Sequence, residues 1–210
     1  MRSLVRARAT PIAERPPERR FIPSLPALDP WLLLPRLEPA RAPRFPFDAE
    51  TLAHAQRFYL ARAGVHHAIR HFLDGKPGTV LMPAYHHGVE IEAARAAGAR
   101  IELYRVYGDM QVDLEDVRAR LASSGARVLY CTHFVGFAQP AREMARLAAE
   151  HGARLVEDCA LALGSRDLDG RPLGTFGDAA VFCLYKTLPV PHGGLLYAPG
   201  VPLRPVAAPP

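Results

Sequence analysis

Lys186 is one of only two lysines in this chain of 210 residues, although the chain carries 26 lysine and arginine residues in total. Arginine supplies the same surface charge, but it cannot form an imine with an aldehyde as the primary amine of lysine does. The other lysine, Lys76, lies within residues 74–78, whose composition is typical of a solvent-exposed turn. Lys186 instead follows the apolar run 179–185, which predicts a buried strand, so its amine is a candidate nucleophile.

Asp158 is the second candidate, because it follows the predicted strand 154–157. The carboxyl ends of parallel strands form the ligand-binding edge of a sheet, and Lys186 is expected at the same edge. An amine that holds an aldehyde and a carboxylate that keeps a ring nitrogen protonated are what a pyridoxal phosphate (PLP) site requires. A second interpretation stays open, in which Asp158 only caps the apolar segment 159–163.

Strands and helices that would position these side chains alternate along the chain. Short apolar runs predict strands at 79–82, 100–106, 127–132, 154–157, 165–167, 179–185 and 195–198. Amphipathic segments predict helices at 48–60, 64–73, 88–97, 113–123 and 140–151, with Asp113 as an N-cap. This alternation predicts an α/β fold with a mostly parallel sheet and helices on both faces.

Proline separates one domain from two flanking segments. Ten of the 21 prolines lie between Pro11 and Pro46, which predicts an extended proline- and arginine-rich arm over residues 1–46. Residues 199–210 are again rich in proline and predict a tail. The folded domain is therefore expected at 47–198.

Composition argues against several other classes of protein. The net charge is +5, but the arginines are scattered and form no basic stripe, so we expect no nucleic-acid partner. Cys131, Cys159 and Cys183 lie apart in apolar segments, which indicates buried free thiols, and no pair has metal-ligand spacing. No apolar run approaches the roughly 20 residues that span a bilayer. We expect a cytoplasmic protein without a membrane or metal partner.

Several motifs in this order resemble the DegT/DnrJ/StrS family of sugar aminotransferases. These are the segments 155–165, 174–182, 186–188 and 192–194, preceded by the turns 83–88 and 132–140. The resemblance covers roughly residues 50 to 198. It implies the large domain of a fold type I PLP enzyme, similar to aspartate aminotransferase. It also implies that Lys186 holds the cofactor aldehyde and that Asp158 pairs with the pyridine nitrogen.

Further cofactor contacts are implied by the same resemblance. The turn 83–88 corresponds to one that often stacks an aromatic side chain on the cofactor ring. This chain offers Tyr85, His86 and His87 there, and His87 is the first candidate. Any of these side chains could instead cap the next helix or face solvent. The family often has a serine that contacts the cofactor phosphate where this chain has Cys183, and glutamine or histidine near the cofactor hydroxyl where it has Leu161.

A second phosphate contact in this family comes from a glycine and a small hydroxyl residue that open an early helix. The corresponding candidates are Gly64 and Val65, whose backbone N–H groups would bind the anion at a helix start. Gly64 could equally be only a break between two helices. His133 and Gly136 are expected near the floor of the site, although His133 could also be a hydrogen-bonded core residue.

The resemblance implies a function and a set of partners. The intact enzyme would transfer an amino group from an amino acid, with glutamate the expected donor, to a nucleotide-linked keto sugar, and would act as a homodimer. Family members continue into a smaller carboxyl-terminal domain, and this sequence is expected to hold the large domain only. The alternative is a non-catalytic protein, with or without bound PLP, that acts through association, which the replacements at Leu161, Val65 and Cys183 favour.

Overall fold

A computed structural model describes residues 43–202. The predicted arm lies outside these residues up to position 42, as does the tail from position 203 onward. The helices are α1 Ala49–Ala53, α2 Ala61–Phe72, α3 Val89–Ala96, α4 Leu114–Ser124 and α5 Ala141–Glu150. The strands are β1 Ala55–Phe58, β2 Gly78–Pro83, β3 Ala99–Tyr104, β4 Val128–Thr132, β5 Arg154–Cys159, β6 Ala179–Cys183 and β7 Gly194–Tyr197.

All seven strands form one sheet in the order β1-β7-β6-β5-β4-β2-β3. The strands from β6 to β3 in this order run parallel, and β7 is antiparallel to both of its neighbours. The predicted α/β fold with a mostly parallel sheet is therefore confirmed. Since β2, β4, β5 and β6 are parallel, their carboxyl ends lie at one edge.

Helices cover both faces of the sheet, and the two faces are built by alternate residues of each strand. On one face, Val80 and Val156 pack with side chains of α2 and α3. On the other, Leu81 and Leu155 pack with side chains of α4 and α5. None of the helices within residues 43–202 is both long and apolar enough to cross a membrane.

The segment before α2 differs from its prediction. Residues 48–60 do not form one helix, because α1 ends after five residues and β1 follows. Asp48 caps α1 by accepting from the backbone N–H of Thr51 at 2.9 Å. The strand forms because Ala55–Phe58 pairs with Gly194–Tyr197, a partner far along the chain, so local periodicity could not reveal it.

Two further predictions met different outcomes. The strand predicted at 165–167 is wrong, since the segment forms only one isolated bridge, between Arg166 and Pro172. The N-cap at Asp113 is confirmed, because its side chain accepts from the backbone N–H groups of Glu115 and Asp116 at 3.1 Å each.

The start of α2 is fixed by packing rather than by a cap. Its N-cap residue, Leu60, makes no side-chain capping bond. The first helical residue instead lies directly against β7, where a Cβ atom added to Gly194 would stand 2.5 Å from the backbone nitrogen of Ala61. Glycine at this position therefore lets the helix start approach the sheet edge.

Gly194→Ala should lower the free energy of unfolding by roughly 2 kcal/mol. The new methyl group would collide with the backbone of Ala61, which can move away only if the start of α2 moves with it. Urea unfolding followed by circular dichroism measures the change. Gly108→Ala is the matched control, since a Cβ there meets nothing within 4 Å. Equal stability of the two variants would show that α2 does not depend on this close approach.

Candidate active site

A cavity of about 420 Å³ opens at the carboxyl edge of the sheet. Its walls come from the segments after β2, β4, β5 and β6 and from the first turns of α2 and α3. The volume falls within the usual range of about 300–1,000 Å³ for small-molecule sites. The edge that the sequence predicted for a ligand therefore does contain a cavity.

Lys186 and Asp158 both line this cavity. Asp158 lies on β5 directly beside Val181 of β6. The strand β6 ends at Cys183, earlier than predicted, and Lys186 follows in a turn that the backbone bond from Leu188 to Leu184 closes at 2.8 Å. Adjacent strands thus bring a half-buried amine and a buried carboxylate into one cavity.

The Asp158 carboxylate is buried and hydrogen-bonded on both oxygens. Tyr130 donates its hydroxyl to Oδ2 at 2.9 Å, and the backbone N–H of Ala160 donates to Oδ1 at 2.9 Å. Burial raises the pKa of Asp158, and nearby Glu90 raises it further, while the two hydrogen bonds and Lys186 lower it. A cation beside Asp158 would offset the cost of its burial, so the site favours a cationic partner there.

Glu157, the neighbour of Asp158, points to the opposite face and has a structural task. Its carboxylate accepts from the backbone N–H groups of Gly174, Phe176 and Gly177 at 2.9, 2.7 and 2.6 Å. His133 contacts the same carboxylate through Nε2 at 3.0 Å. Because these glycines and Phe176 precede β6, Glu157 fixes the segment that leads to Lys186.

The hydrogen bonds of His133 determine its tautomer. Its Nδ1 accepts from the backbone N–H of Gln139 at 3.1 Å, so Nε2 carries the proton that is donated to Glu157. His133 is fully buried. It contributes to the cavity wall, and its polar atoms are used within the core, as the alternative interpretation of the sequence held.

His133, Glu157 and Cys159 form the one group of possible metal ligands within residues 43–202. Burial, and then Glu157 and Asp158, raise the pKa of the Cys159 thiol well above its ordinary value. Cysteine binds a metal ion as the thiolate. His133 and Glu157 already form hydrogen bonds with each other and with backbone N–H groups. These three buried residues fit part of the protein core better than a metal site.

Glu157→Gln should destabilise the protein by roughly 2–4 kcal/mol, because an amide NH2 would face donors that now share a carboxylate. The midpoint of urea unfolding measures the loss. Glu143→Gln, at an exposed position of α5, is the control for removing a negative charge. If both variants unfold at the wild-type urea concentration, the Glu157 bonds do not hold this segment.

Tyr85 and His87, the candidates for ring stacking, also line the cavity. Tyr85 is 58% exposed, and its ring lies 5.3 Å from that of Phe134. His87 is exposed, and its backbone N–H donates to Glu90 Oε1 at 2.7 Å. Both side chains are thus at the cavity, and stacking on a ring stays a prediction for each.

Of the residues predicted to contact the phosphate, two line the cavity and one does not. Val65 and Cys183 are buried and line the cavity. Gly64 is not at a helix start, since α2 begins three residues earlier, and a Cβ there would contact Leu196, Val181 and Phe58 instead. The position predicted for the helix start is therefore wrong, because Leu60 offers no capping signal to mark it.

Arg62 is a cavity residue that sequence reasoning missed. It lies in the first turn of α2 and lines the cavity. Burial and a hydrogen bond with Cys183 raise the pKa of Tyr185, whereas the charge of Arg62 lowers it, so these three side chains lie together. No carboxylate in residues 43–202 pairs with Arg62.

Glu90 is the second residue that was missed. It is 5% exposed, lies in the first turn of α3 and lines the cavity. The spacing His87-x-x-Glu90 resembles a helix-capping pattern, which is a signal for local structure rather than for a site. Its burial next to Asp158 was visible only in the structure.

The chemistry of the residues that line the cavity fits PLP. An amine and a carboxylate face it from adjacent strands, and the apolar side chains of Val65 and Val181 suit a flat ring. Within residues 43–202, Thr132 Oγ1 and His86 Nδ1 are buried at this cavity without a hydrogen-bond partner. A parallel sheet with an amine and a carboxylate at its carboxyl edge has the groups that a PLP-binding domain requires.

Comparison with protein families matches residues 54–199 to the DegT/DnrJ/EryC1/StrS aminotransferase family. The chain belongs to this family. The cofactor of the family is pyridoxal 5′-phosphate, which confirms the cofactor predicted from Lys186 and Asp158. The match begins within the described domain and ends two residues after β7.

Known relatives extend well beyond the matched region. GDP-perosamine synthase from Vibrio cholerae is 29% identical over 120 residues, which are 56% of this chain and 32% of that protein. The structure of DesI, described in the presence of its TDP-sugar product, superposes with a TM-score of 0.60 at 30% identity, over 69% of this chain and 37% of DesI. The matched part of this chain thus spans about a third of these relatives.

A relative with a different name also matches. Glycine dehydrogenase (decarboxylating) from Cereibacter sphaeroides is 32% identical over 127 residues, which are 58% of this chain and 13% of that protein. The similarity covers a small part of that enzyme.

Proposed function

We propose that this chain provides the cofactor-binding domain of an enzyme that transfers an amino group to a nucleotide-linked keto sugar. The observation that carries the proposal is the pair Lys186 and Asp158 in one cavity at adjacent strand ends. Family membership supports the aminotransfer reaction, and the nucleotide-sugar relatives support the substrate class. The expected amino donor is glutamate.

Lys186 and Asp158 would act at opposite ends of the cofactor ring. When bound, PLP supplies an electron sink that stabilises negative charge on the substrate carbon. Lys186 Nζ would hold the cofactor aldehyde and, when released, carry a proton to and from that carbon. Asp158 would keep the ring nitrogen protonated, with Tyr130 and Ala160 orienting its carboxylate.

The phosphate group would lie at the start of α2. The helix begins at Ala61 without a side-chain cap, and the N–H of Ala63 donates to the carbonyl of Leu60 at 3.1 Å, so the N–H groups of Ala61 and Arg62 are the ones that would bind an anion. Arg62 in the same turn adds a positive charge. This arrangement takes the place of the hydroxyl groups that the family resemblance implies and that Val65 and Cys183 do not supply.

Substrate binding and closure of the site would require a further chain or domain. Tyr85, Val135 and Leu161 are 58%, 62% and 50% exposed and line the cavity. Exposed apolar side chains clustered at a cavity are typical of surfaces that another chain covers. We propose a homodimer, in which the partner completes the substrate site.

The rival proposal is a PLP-binding protein without transferase activity. Leu161 favours it, because an apolar side chain cannot hydrogen-bond the cofactor hydroxyl as the family's usual residues do. Both proposals predict cofactor binding. They differ in whether the bound cofactor reacts with an amino acid.

Purified wild-type protein mixed with PLP should develop the visible absorption band of a lysine-bound cofactor. Lys186→Ala should abolish the band, because its primary amine is the one at the cavity. Lys76→Ala is the matched control, since this is the only other lysine and lies in an exposed turn. A wild-type protein that gives no band contradicts both proposals.

Addition of glutamate to the loaded protein separates the enzyme from the binder. The enzyme should lose the visible band and release one equivalent of 2-oxoglutarate, measured by mass spectrometry. A band that persists with glutamate and with other amino acids would favour the binder. Glycine is tested separately in the same assay. Release of CO2 from glycine would indicate a reaction like the one in the name of the decarboxylating relative.

Arg62→Ala should weaken PLP binding by about tenfold, because a charged hydrogen-bond donor to the phosphate is lost. The same substitution should leave binding of pyridoxal, which lacks the phosphate, unchanged. Arg70→Ala, exposed in the last turn of the same helix, controls for the change in net charge. Equal weakening for PLP and pyridoxal would contradict a phosphate contact.

A further inference from the structure

Glu90 is a buried carboxylate at the cavity, and it has no role in the reaction proposed above. It is 5% exposed and lies in the first turn of α3. One oxygen, Oε1, accepts from the backbone N–H of His87 at 2.7 Å. No lysine, arginine or histidine side chain within residues 43–202 forms an ion pair with it. Burying an unpaired carboxylate is costly, so its retention requires an explanation.

The neighbours of Glu90 are the groups that would hold the cofactor ring nitrogen. Glu90 and Asp158 line the same cavity. After burial, the charge of Glu90 contributes to raising the pKa of Asp158 and the pKa of Tyr130. Tyr130 in turn donates its hydroxyl to Asp158 Oδ2 at 2.9 Å. Tyr130 of β4 lies on the face of the sheet that α3 covers, since it packs in one cluster with Ala93 and Ala94 of that helix. Two buried carboxylates, Glu90 and Asp158, thus lie at one cavity, and the Tyr130 hydroxyl donates to one of them.

We propose that Glu90 is a second carboxylate of the ring-nitrogen site, so that the cofactor's pyridinium is held in the field of Glu90 as well as Asp158. This inference rests on the proposed function. A single buried carboxylate is balanced by one cation, but two repel each other until a cation is bound. The protonated ring is the cation that the cavity would receive. Glu90 is therefore a positioning residue that strengthens the hold of Asp158 on the ring nitrogen.

A purely structural role for Glu90 makes a different prediction. Its bond to His87 and its place in the first turn of α3 suit a helix cap. Glutamine keeps the oxygen that accepts this bond and removes only the charge. Glu90→Gln therefore retains the cap and tests the charge alone.

The experiment measures PLP binding by the visible band for the wild type, Glu90→Gln, Glu90→Asp and Glu92→Gln. Glu92 is exposed on the first turn of the same helix and is the matched control. Glu90→Gln should bind PLP about tenfold more weakly, since one favourable charge interaction at short range is lost. Glu90→Asp should bind PLP more tightly than Glu90→Gln, and Glu92→Gln should match the wild type.

A cofactor analogue tests whether the effect acts on the ring nitrogen. When CH replaces the nitrogen, the ring carries no positive charge, so Glu90→Gln should bind the analogue at least as tightly as the wild type does. In the absence of cofactor, this variant should also unfold at the same temperature as the wild type or at a higher one, because a buried charge is gone.

Two outcomes would overturn this inference alone, and a third would overturn it together with the proposed function. Equal PLP affinity of wild type and Glu90→Gln would overturn it while leaving the proposed function intact. Equal weakening for PLP and for the analogue, with a lower unfolding temperature, would show that Glu90 is structural only. A wild-type protein that gives no band with PLP would refute the proposed function, and this inference with it.

Discussion

The Glu157 carboxylate is the interaction on which the rest of the site depends. It lies fully buried on β5 and gathers three backbone N–H groups of the segment before β6, together with His133. This bonding holds the segment that carries the chain into β6 and then to Lys186. The next residue, Asp158, faces the other side of the strand and lines the cavity. The two adjacent acidic residues therefore differ in their contacts. Glu157 holds the segment before β6, and Asp158 lines the cavity.

The carboxylates of Glu157, Asp158 and Glu90 differ in how far the protein satisfies their hydrogen bonds. This difference explains how the last two can lie at one cavity with the Lys186 amine. Glu157 has its hydrogen-bonding capacity satisfied within the protein, so its charge is compensated by backbone donors. Asp158 and Glu90 are less fully satisfied, and burial raises the pKa of Asp158. A folded domain keeps such groups at some cost to its stability. That cost is reasonable at a site that binds a cationic ring and is hard to explain elsewhere.

Much of this architecture could be predicted from the sequence. The apolar strands and their helices predicted the parallel sheet, and the positions of Asp158 and Lys186 after two predicted strands predicted the edge where both residues lie. What could not be predicted depends on distant partners. The strand β1 forms only through pairing with β7, and α2 begins where Gly194 lets Ala61 approach. Neither contact leaves a local signal, which is why Gly64 was misplaced.

Residues with two local interpretations were the other source of error. Glu90 has the spacing of a capping residue, and only its burial at the cavity points to the further role that we propose. Arg62 is one arginine among many in the sequence. Only its position in the first turn of α2 shows that it lines the cavity. The bonds of Glu157 reach backbone 17 to 20 residues ahead and cannot be deduced from side-chain types.

The central claim is that the Lys186 amine faces a PLP site, and one measurement tests it most directly. The protein is mixed with PLP, reduced with borohydride, digested and analysed by mass spectrometry for the added pyridoxyl group. The account predicts that the added mass lies on the peptide containing Lys186 and that Lys76 remains unmodified. Added mass on Lys76 alone, or none on either lysine, would contradict it.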